Sequence, residues 1–190
     1  LNYDELEPLI DKEALARFRK HSMTPNHPVI RGTAENPDVY FQHCEAANPF
    51  YLAIPDIVQG YMDDIARLTG RHYHLFDYYG ATDAERVIIS IGSVSDIAKD
   101  VTDALLAKGE KVGVMNVHLY RPFSVKHFLS QLPESVKKIA VLDRTREPGA
   151  IGEPLYLDVQ SAVAASDRDI RVVGGRYGLG SKDVIPEDIM

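Results

Sequence analysis

The chain has 190 residues, and its 21 Lys and Arg residues against 28 Asp and Glu residues give a formal net charge of −7. This length predicts one domain, or one domain with additional arms, and an apolar content of 45% is sufficient for a sizeable core. The acidic balance argues against a general nucleic-acid-binding surface, which needs a basic face. No apolar run approaches the roughly 20 residues of a membrane span. We therefore expect neither nucleic acid nor a membrane as a partner.

The first residues do not resemble a signal peptide. Asp4 and Glu5 are acidic where the start of a signal peptide is basic, and the chain begins with Leu1 rather than Met. We therefore expect a piece of a longer protein without a secretory leader.

A single cysteine, Cys44, excludes an internal disulfide and any metal or cluster site built on several cysteines of this chain. A lone thiol is typical of a reducing compartment, so we expect a cytoplasmic protein. His43 precedes Cys44, but sequence neighbours rarely face each other. We therefore favour a small buried side chain over a nucleophile.

The first forty residues predict an extended arm rather than a core. Residues 11–20 can form a short helix. Pro25, Pro28 and Pro37 then favour extended or turn geometry, so residues 24–33 predict a strap that lies across another surface.

A longer helix is predicted after the arm. Asn48 is a suitable N-cap and Pro49 a suitable first helical residue. Apolar residues then recur at helical spacing until Gly70, and Pro55 should kink or divide this helix.

From about residue 74 onward, strands alternate with helices. The predicted strands cover residues 75–79, 86–91, 111–119, 138–143 and 170–173, and the predicted helices follow Ser93, Ser124 and Pro154. Short runs rich in β-branched residues are typical of a buried parallel sheet with right-handed crossovers. We therefore predict an α/β fold, a doubly wound and mostly parallel sheet with helices on both faces, preceded by the extended N-terminal arm.

Ligands in such sheets bind at the carboxyl ends of the strands, so the loops there are candidate sites. Gly92 and Ser93 begin a helix and could meet an anion, but a helix cap made by Ser93 is favoured. Residues 118–123 could bind a carboxylate or phosphate, but an interface corner anchored by Tyr120 and Phe123 is favoured. No dinucleotide motif or P-loop is present.

Two further loops follow the last strands. Residues 143–154 carry charges of both signs, and we expect Arg144 and Arg146 to pair with the carboxylates of this structural loop. Residues 174–183 contain four glycines before a Ser-Lys pair. Such a segment is either a cradle for phosphate oxygens or a flexible linker, and composition favours neither.

His72 and His74 could supply two metal ligands if they lay on one strand. No third ligand is evident in the sequence nearby, so we favour two surface histidines and expect no metal site.

Five stretches of the chain resemble pyruvate:ferredoxin (flavodoxin) oxidoreductases. They comprise residues 40–49, 74–78, 119–124, 142–159 and 174–182. The enzymes of this family are several times longer, and the chain is similar to their second domain, which resembles the carboxy-terminal domain of transketolases. The resemblance implies the tail of a preceding domain in residues 1–42, the transketolase-like α/β domain in residues 43–174, and the start of the following domain in residues 175–190.

The resemblance implies a parent enzyme that converts pyruvate and coenzyme A to acetyl-CoA and CO₂ while reducing ferredoxin or flavodoxin. Such an enzyme uses thiamine diphosphate, Mg²⁺ and 4Fe–4S clusters and is expected to be a cytoplasmic homodimer. The chain has no cysteine cluster and no thiamine-type Gly-Asp-Gly motif. We therefore expect a structural, interdomain segment with no catalytic residue of its own, which is inactive in isolation.

One ligand contact of the family carries over to this chain, the contact with coenzyme A. Coenzyme A has a diphosphate and a 3′-phosphate, which a glycine-rich backbone and a lysine can bind. Cys44 stands where the family has arginine, so no salt bridge is expected from that position. The residues that match the coenzyme A contact are Gly178, Leu179, Gly180, Ser181 and Lys182.

Two other hypotheses are compatible with the residues. The chain could be a stand-alone α/β protein-docking module without a catalytic role, or a small independent α/β enzyme that uses its strand-end loops. Lys182 discriminates between the coenzyme A-contacting segment and the docking module, because only a coenzyme A site makes the KM for coenzyme A depend on this side chain. The full length of the gene would decide whether the chain is an independent enzyme.

Overall fold

The structure, a computed structural model, describes residues 1–30, 32 and 34–190. By its internal contacts the chain divides into two units, Leu1–Tyr73 (unit 1) and His74–Met190 (unit 2). The domain boundaries after residues 42 and 174 that the resemblance implies stay predictions.

Unit 1 is helical. It contains α1 (Tyr3–Leu6), a 3₁₀ turn (Glu7–Leu9), α2 (Lys12–Lys20) and α3 (Pro37–Thr69). α2 confirms the predicted short helix, and the Asp11 carboxylate caps it by accepting the Ala14 N–H at 2.8 Å. In the part of the chain that the structure describes, no helix is both long and apolar enough to cross a bilayer.

The predicted start of the long helix at Asn48 is wrong. α3 has 33 residues and begins at Pro37, so the end of the predicted arm is helical. Proline is well accepted at the first helical position, where its missing N–H would have no partner, and this outweighs its tendency to break helices. Pro49 and Pro55 both lie inside the helix, and Pro55 does not divide it. Gly70 ends the helix, as predicted, with a left-handed φ of 71°.

The segment between α2 and α3 contains the predicted strap. No helix or extended strand is found among its described residues, and the backbones of Thr24 and His27 form an isolated bridge. Arg31 and Thr33 of the strap lie outside the described residues.

Unit 2 is built on a five-stranded sheet with the order β1-β3-β2-β4-β5. Its strands are β1 (Phe76–Gly80), β2 (Arg86–Ser90), β3 (Val112–Val117), β4 (Lys138–Asp143) and β5 (Arg171–Arg176). Only the edge strand β1 is antiparallel, to β3, and the other pairings are parallel. The predicted mostly parallel sheet is therefore confirmed.

Helices cover both faces of this sheet. α4 (Val94–Leu106), α5 (Val125–Gln131) and α6 (Pro154–Ala164) connect the strands, and 3₁₀ turns at Leu179–Ser181 and Pro186–Asp188 follow β5. α4 adjoins the face that carries Ile88 and Ala140, whereas Tyr156 of α6 lies against Gly174 on the opposite face. The doubly wound α/β fold is confirmed.

The order of the strands creates a crevice between β2 and β4. These strands are neighbours, but the chain leaves β2 toward α4 on one face and leaves β4 toward α6 on the other. In open α/β sheets such a point of divergence, at the carboxyl ends of the strands, is the usual place for a ligand.

An aromatic cluster fills the core beside β1. The rings of Phe76 and Phe128 are fully buried, and Phe123 lies 5.1 and 5.6 Å from them between ring centroids. These tilted and edge-to-face contacts place Phe123 in the core of its own unit. Phe123 is nevertheless only half-buried, so the expectation that it also anchors another domain stays a prediction.

Phe128→Ala should reduce the free energy of unfolding of the chain by about 3–5 kcal/mol, because it empties a buried aromatic site. Val125 on the same helix is 37% exposed, so Val125→Ala should cost about 1 kcal/mol or less. Urea unfolding followed by circular dichroism measures both values, and equal losses would contradict this description of the core.

Candidate functional site

Two adjacent cavities lie at the carboxyl end of the sheet. One, of about 330 Å³, occupies the crevice between the ends of β2 and β4, and its lining includes Tyr120 and Arg144. The other, of about 340 Å³, is lined by the residues after β5, including Gly178 and Lys182. Leu142 and Tyr177 line both cavities and separate them, so one molecule of sufficient length could contact both.

The glycine-rich loop after β5 has a tightly turned backbone. Gly178 and Gly180 have left-handed φ values of 58° and 61°. Ser181 also has a φ of 61°, and it is the single non-glycine residue with positive φ in the described part of the chain. The Lys182 N–H closes the turn by donating to the Leu179 carbonyl oxygen at 3.2 Å. The structure thus brings the five predicted coenzyme A residues together in one compact turn.

This loop is fastened to the end of β4. The Tyr177 N–H donates to the Asp143 carbonyl oxygen at 3.1 Å, which extends the parallel pairing beyond Arg176. The Arg144 Nε–H donates to the Gly178 carbonyl oxygen at 3.3 Å. A Cβ atom on Gly178 would lie 3.2 Å from this Nε, so the tight approach and the left-handed φ of 58° together favour glycine.

Asp143, at the end of β4, is a buried carboxylate with a structural role. Its two oxygens accept the N–H groups of Leu155 and Tyr156 at 3.0 and 3.1 Å. These groups lie in the first turn of α6, where N–H groups lack helical partners. Burial raises the pKa of Asp143, while the two N–H donors oppose that rise. Asp143 therefore fixes the start of α6 rather than pairing with a neighbouring arginine.

Glu153 holds the glycine-rich loop from the other side. Its carboxylate forms an ion pair with the Arg176 guanidinium and accepts the Glu147 N–H at 2.8 Å. Burial would raise the pKa of Glu153, but the contacts with Arg176 and the Glu147 N–H outweigh it and lower the pKa. The ion-pair partner of Glu153 is thus Arg176 rather than the predicted Arg144 or Arg146, although the charge of Arg146 also helps to lower the pKa of Glu153.

The ion pair between Arg176 and Glu153 was not predicted, because the two residues lie far apart in the sequence. The parallel register pairs Asp143 with Arg176 and so places the end of β5 beside loop 143–154. A charged residue at the end of a predicted neighbouring strand was the available signal, but strand order cannot be read from either strand alone.

The loop after β3 is held within unit 2. The Arg121 guanidinium lies 3.9 Å from the centroid of the Tyr120 ring and 2.6 Å from the Asp158 carboxylate. Burial, assisted by Asp158, raises the pKa of Tyr120 to about 12. His118 Nδ1 lies 2.8 Å from the His74 carbonyl oxygen. Arg121 is thus already neutralised by a carboxylate, which favours a structural role over the binding of an anion.

Three smaller predictions have different outcomes. Ser93 makes no side-chain cap, because its backbone is helical rather than extended, so the predicted cap is wrong. Cys44 is exposed on α3, so the expected burial is also wrong. His72 and His74 precede β1 and do not lie on a strand. Among the described residues, no group of three or more His, Cys, Asp or Glu side chains could hold a metal ion.

Two family models match this chain. Residues 84–189 match "Pyruvate:ferredoxin oxidoreductase core domain II". Residues 1–63 match "Pyruvate flavodoxin/ferredoxin oxidoreductase, thiamine diP-bdg", the thiamine diphosphate-binding part.

Curated relatives match over the full length of the chain. A pyruvate-flavodoxin oxidoreductase of Klebsiella pneumoniae is 60% identical over 189 residues, and one of Enterobacter agglomerans is 58% identical over 190 residues; each match covers 100% of this chain. A pyruvate:ferredoxin oxidoreductase of Moorella thermoacetica is 58% identical over 98% of the chain. The chain spans 16% of the length of each of these relatives.

The fold is similar to a solved structure of a 2-oxoglutarate:ferredoxin oxidoreductase from Magnetococcus marinus with 2-oxoglutarate, coenzyme A and succinyl-CoA bound. The match covers 86% of this chain and 26% of the solved chain. Its sequence identity is 18% and its TM-score is 0.49, which is too low to support an inference about this chain.

Glu153→Gln should destabilise the chain at neutral pH, because the lowered pKa of Glu153 means that its ionised form stabilises the fold. This contribution is present above the ordinary value of 4.5 and is lost as the pH falls through the lower folded value. The difference in Tm between the chain and the variant should therefore shrink between about pH 7 and about pH 3.

Glu147→Gln is the matched control, since the Glu147 side chain is exposed and its contribution to the site is its backbone N–H. Its Tm should follow that of the unsubstituted chain at every pH. A difference for Glu153→Gln that does not change with pH would show that the charge of Glu153 does not stabilise the fold.

Proposed function

Because the chain belongs to the pyruvate:ferredoxin oxidoreductase family through its core domain II, we propose that it is a segment of a pyruvate oxidoreductase. The parent enzyme converts pyruvate and coenzyme A to acetyl-CoA and CO₂ and transfers the electrons to ferredoxin or flavodoxin. Identities of 58–60% to oxidoreductases of that name support this assignment. The parent is a cytoplasmic homodimer in this proposal.

The role of the segment is structural, with one edge that contacts coenzyme A. The family is thiamine diphosphate-dependent, and the proposed parent also holds Mg²⁺ and 4Fe–4S clusters. The residues of this chain do not fit the metal groups, since it has one cysteine and its described residues contain no cluster of metal-ligating side chains. We therefore assign the redox chemistry to other parts of the parent.

The compact turn at residues 178–182 is the observation that carries the coenzyme A proposal. Gly178, Gly180 and Ser181 have left-handed φ values, which curve the backbone, and curved backbones whose N–H groups converge bind phosphate. Lys182 adds a cationic group on the wall of the cavity of about 340 Å³. In this role the chain binds and orients coenzyme A and moves no proton or electron.

A second role, docking, is supported by the exposed apolar surface of α3. Phe41, Phe50 and Leu52 are 68%, 77% and 76% exposed. Such an accumulation of large apolar side chains is unfavourable in water and is typical of a surface that another part of a protein covers. Docking is thus compatible with the structural role in the parent enzyme.

In the full-length oxidoreductase, Lys182→Ala should raise the KM for coenzyme A about tenfold or more, because a charged hydrogen bond to phosphate contributes about 1.5–3 kcal/mol. The KM for pyruvate should not change. Lys138→Ala is the control, since Lys138 is an exposed lysine at the opposite end of β4. An unchanged KM for coenzyme A in the Lys182 variant would leave the segment only its structural and docking roles.

The purified 190-residue chain should show no pyruvate oxidation in an assay with pyruvate, coenzyme A and an artificial electron acceptor. The reason is that the chain has no catalytic residue in this proposal. Turnover above that of a buffer blank would contradict the structural assignment and would favour an independent enzyme.

A further inference from the structure

Arg144 is the first residue after Asp143, and it reaches from one cavity to a residue that lines the other, Gly178. Its Nε–H donates to the Gly178 carbonyl oxygen, and its side chain lines the cavity between β2 and β4. A guanidinium has five N–H donors in one plane, so four remain beyond this bond. The Arg144 guanidinium has no carboxylate partner among the residues that the structure describes.

The two buried carboxylates of loop 143–154 are already occupied. Asp143 accepts two N–H groups of α6, and Glu153 binds Arg176. The Arg144 side chain is exposed at the mouth of the site. Its positive charge nevertheless acts within the site, since it opposes the rise that burial causes in the pKa of Tyr177. The guanidinium is thus a cation with unused donors beside the turn that holds Lys182.

The chemistry of coenzyme A calls for more than one cation. The molecule carries a diphosphate and a 3′-phosphate, and a single lysine is a point charge that can neutralise only part of them. A planar guanidinium can bind two oxygens of one phosphate at the same time. In a chain with a formal net charge of −7, a phosphate ligand depends on local cations of this kind.

We propose that Arg144 is a second phosphate-binding residue of the coenzyme A site. Its Nε–H donates to the Gly178 carbonyl oxygen, and its four remaining N–H donors bind a phosphate of coenzyme A, while Lys182 binds phosphate from the adjacent cavity. The Arg144–Gly178 bond orients the guanidinium before the ligand arrives, so little side-chain freedom is lost on binding. This inference rests on the proposed function of residues 178–182.

The test measures the KM for coenzyme A in the full-length oxidoreductase and its Arg144→Ala variant. The variant should raise this KM about tenfold or more, with an unchanged kcat at saturating coenzyme A and an unchanged KM for pyruvate. Arg144→Lys should recover part of the loss, because it keeps the charge but not the planar fork. Arg146→Ala is the matched control, an exposed arginine of the same loop, and should leave all three constants unchanged.

Truncated substrates separate phosphate binding from loop positioning. The effect of Arg144→Ala should disappear with 3′-dephospho-coenzyme A if Arg144 binds the 3′-phosphate. It should persist with that compound and disappear with pantetheine if Arg144 binds the diphosphate. An effect of the same size on all three substrates would overturn the inference, because it would show that Arg144 only holds the turn.

Comparison with Lys182→Ala separates this inference from the proposed function. If Lys182→Ala raises the KM for coenzyme A and Arg144→Ala does not, the coenzyme A site stands and Arg144 is not part of it. If neither variant changes that KM, the coenzyme A site itself is wrong.

Discussion

The parallel pairing of β4 with β5 is the constraint on which the site depends. This register sets Asp143 beside Arg176, and it continues through the bond between the Tyr177 N–H and the Asp143 carbonyl oxygen. Glu153 can reach Arg176 only because the loop after β4 returns to the same edge of the sheet. A shift of β5 by one residue would turn its side chains to the other face and would break this arrangement. The strand pairing therefore places the glycine-rich turn.

Contacts from outside are important for the glycine-rich turn, because few of its own interactions fix its backbone. Its glycines lack side chains that could pack, and glycine loses more backbone freedom on ordering than any other residue. The contacts of Arg144 with Gly178 and of Glu153 with Arg176 supply the order from outside the turn. A ligand that meets an already ordered turn does not have to supply the free energy of ordering it.

Most of the sheet could be predicted from the sequence, because its central strands β2, β3 and β4 are short runs rich in Val and Ile. The start of α3 could not, since Pro37 is compatible with either a break or a first helical turn. Phe123 packs within its own unit, but a single half-buried aromatic residue is as suitable for a core as for an interface, so its role against another domain stays a prediction. The composition of residues 174–183 is compatible with a phosphate cradle or a flexible linker, and only the backbone angles show that residues 178–182 form a compact turn.

The two buried carboxylates, Asp143 and Glu153, differ in whether their ionised form stabilises the fold. Burial raises the pKa of Asp143, so its ionised form is less favourable in the folded chain than in the unfolded chain, and its contribution falls as the pH rises through the folded value. The lowered pKa of Glu153 has the opposite consequence, and its contribution falls as the pH falls. Asp143 lies at the end of β4 although its burial is unfavourable. Its role there is to position α6, because it aligns the first turn of this helix with the end of the sheet. The fixed first turn of α6 in turn positions Glu153, which binds Arg176. Asp143, whose ionised form is unfavourable in the fold, thus orients Glu153, whose ionised form is favourable.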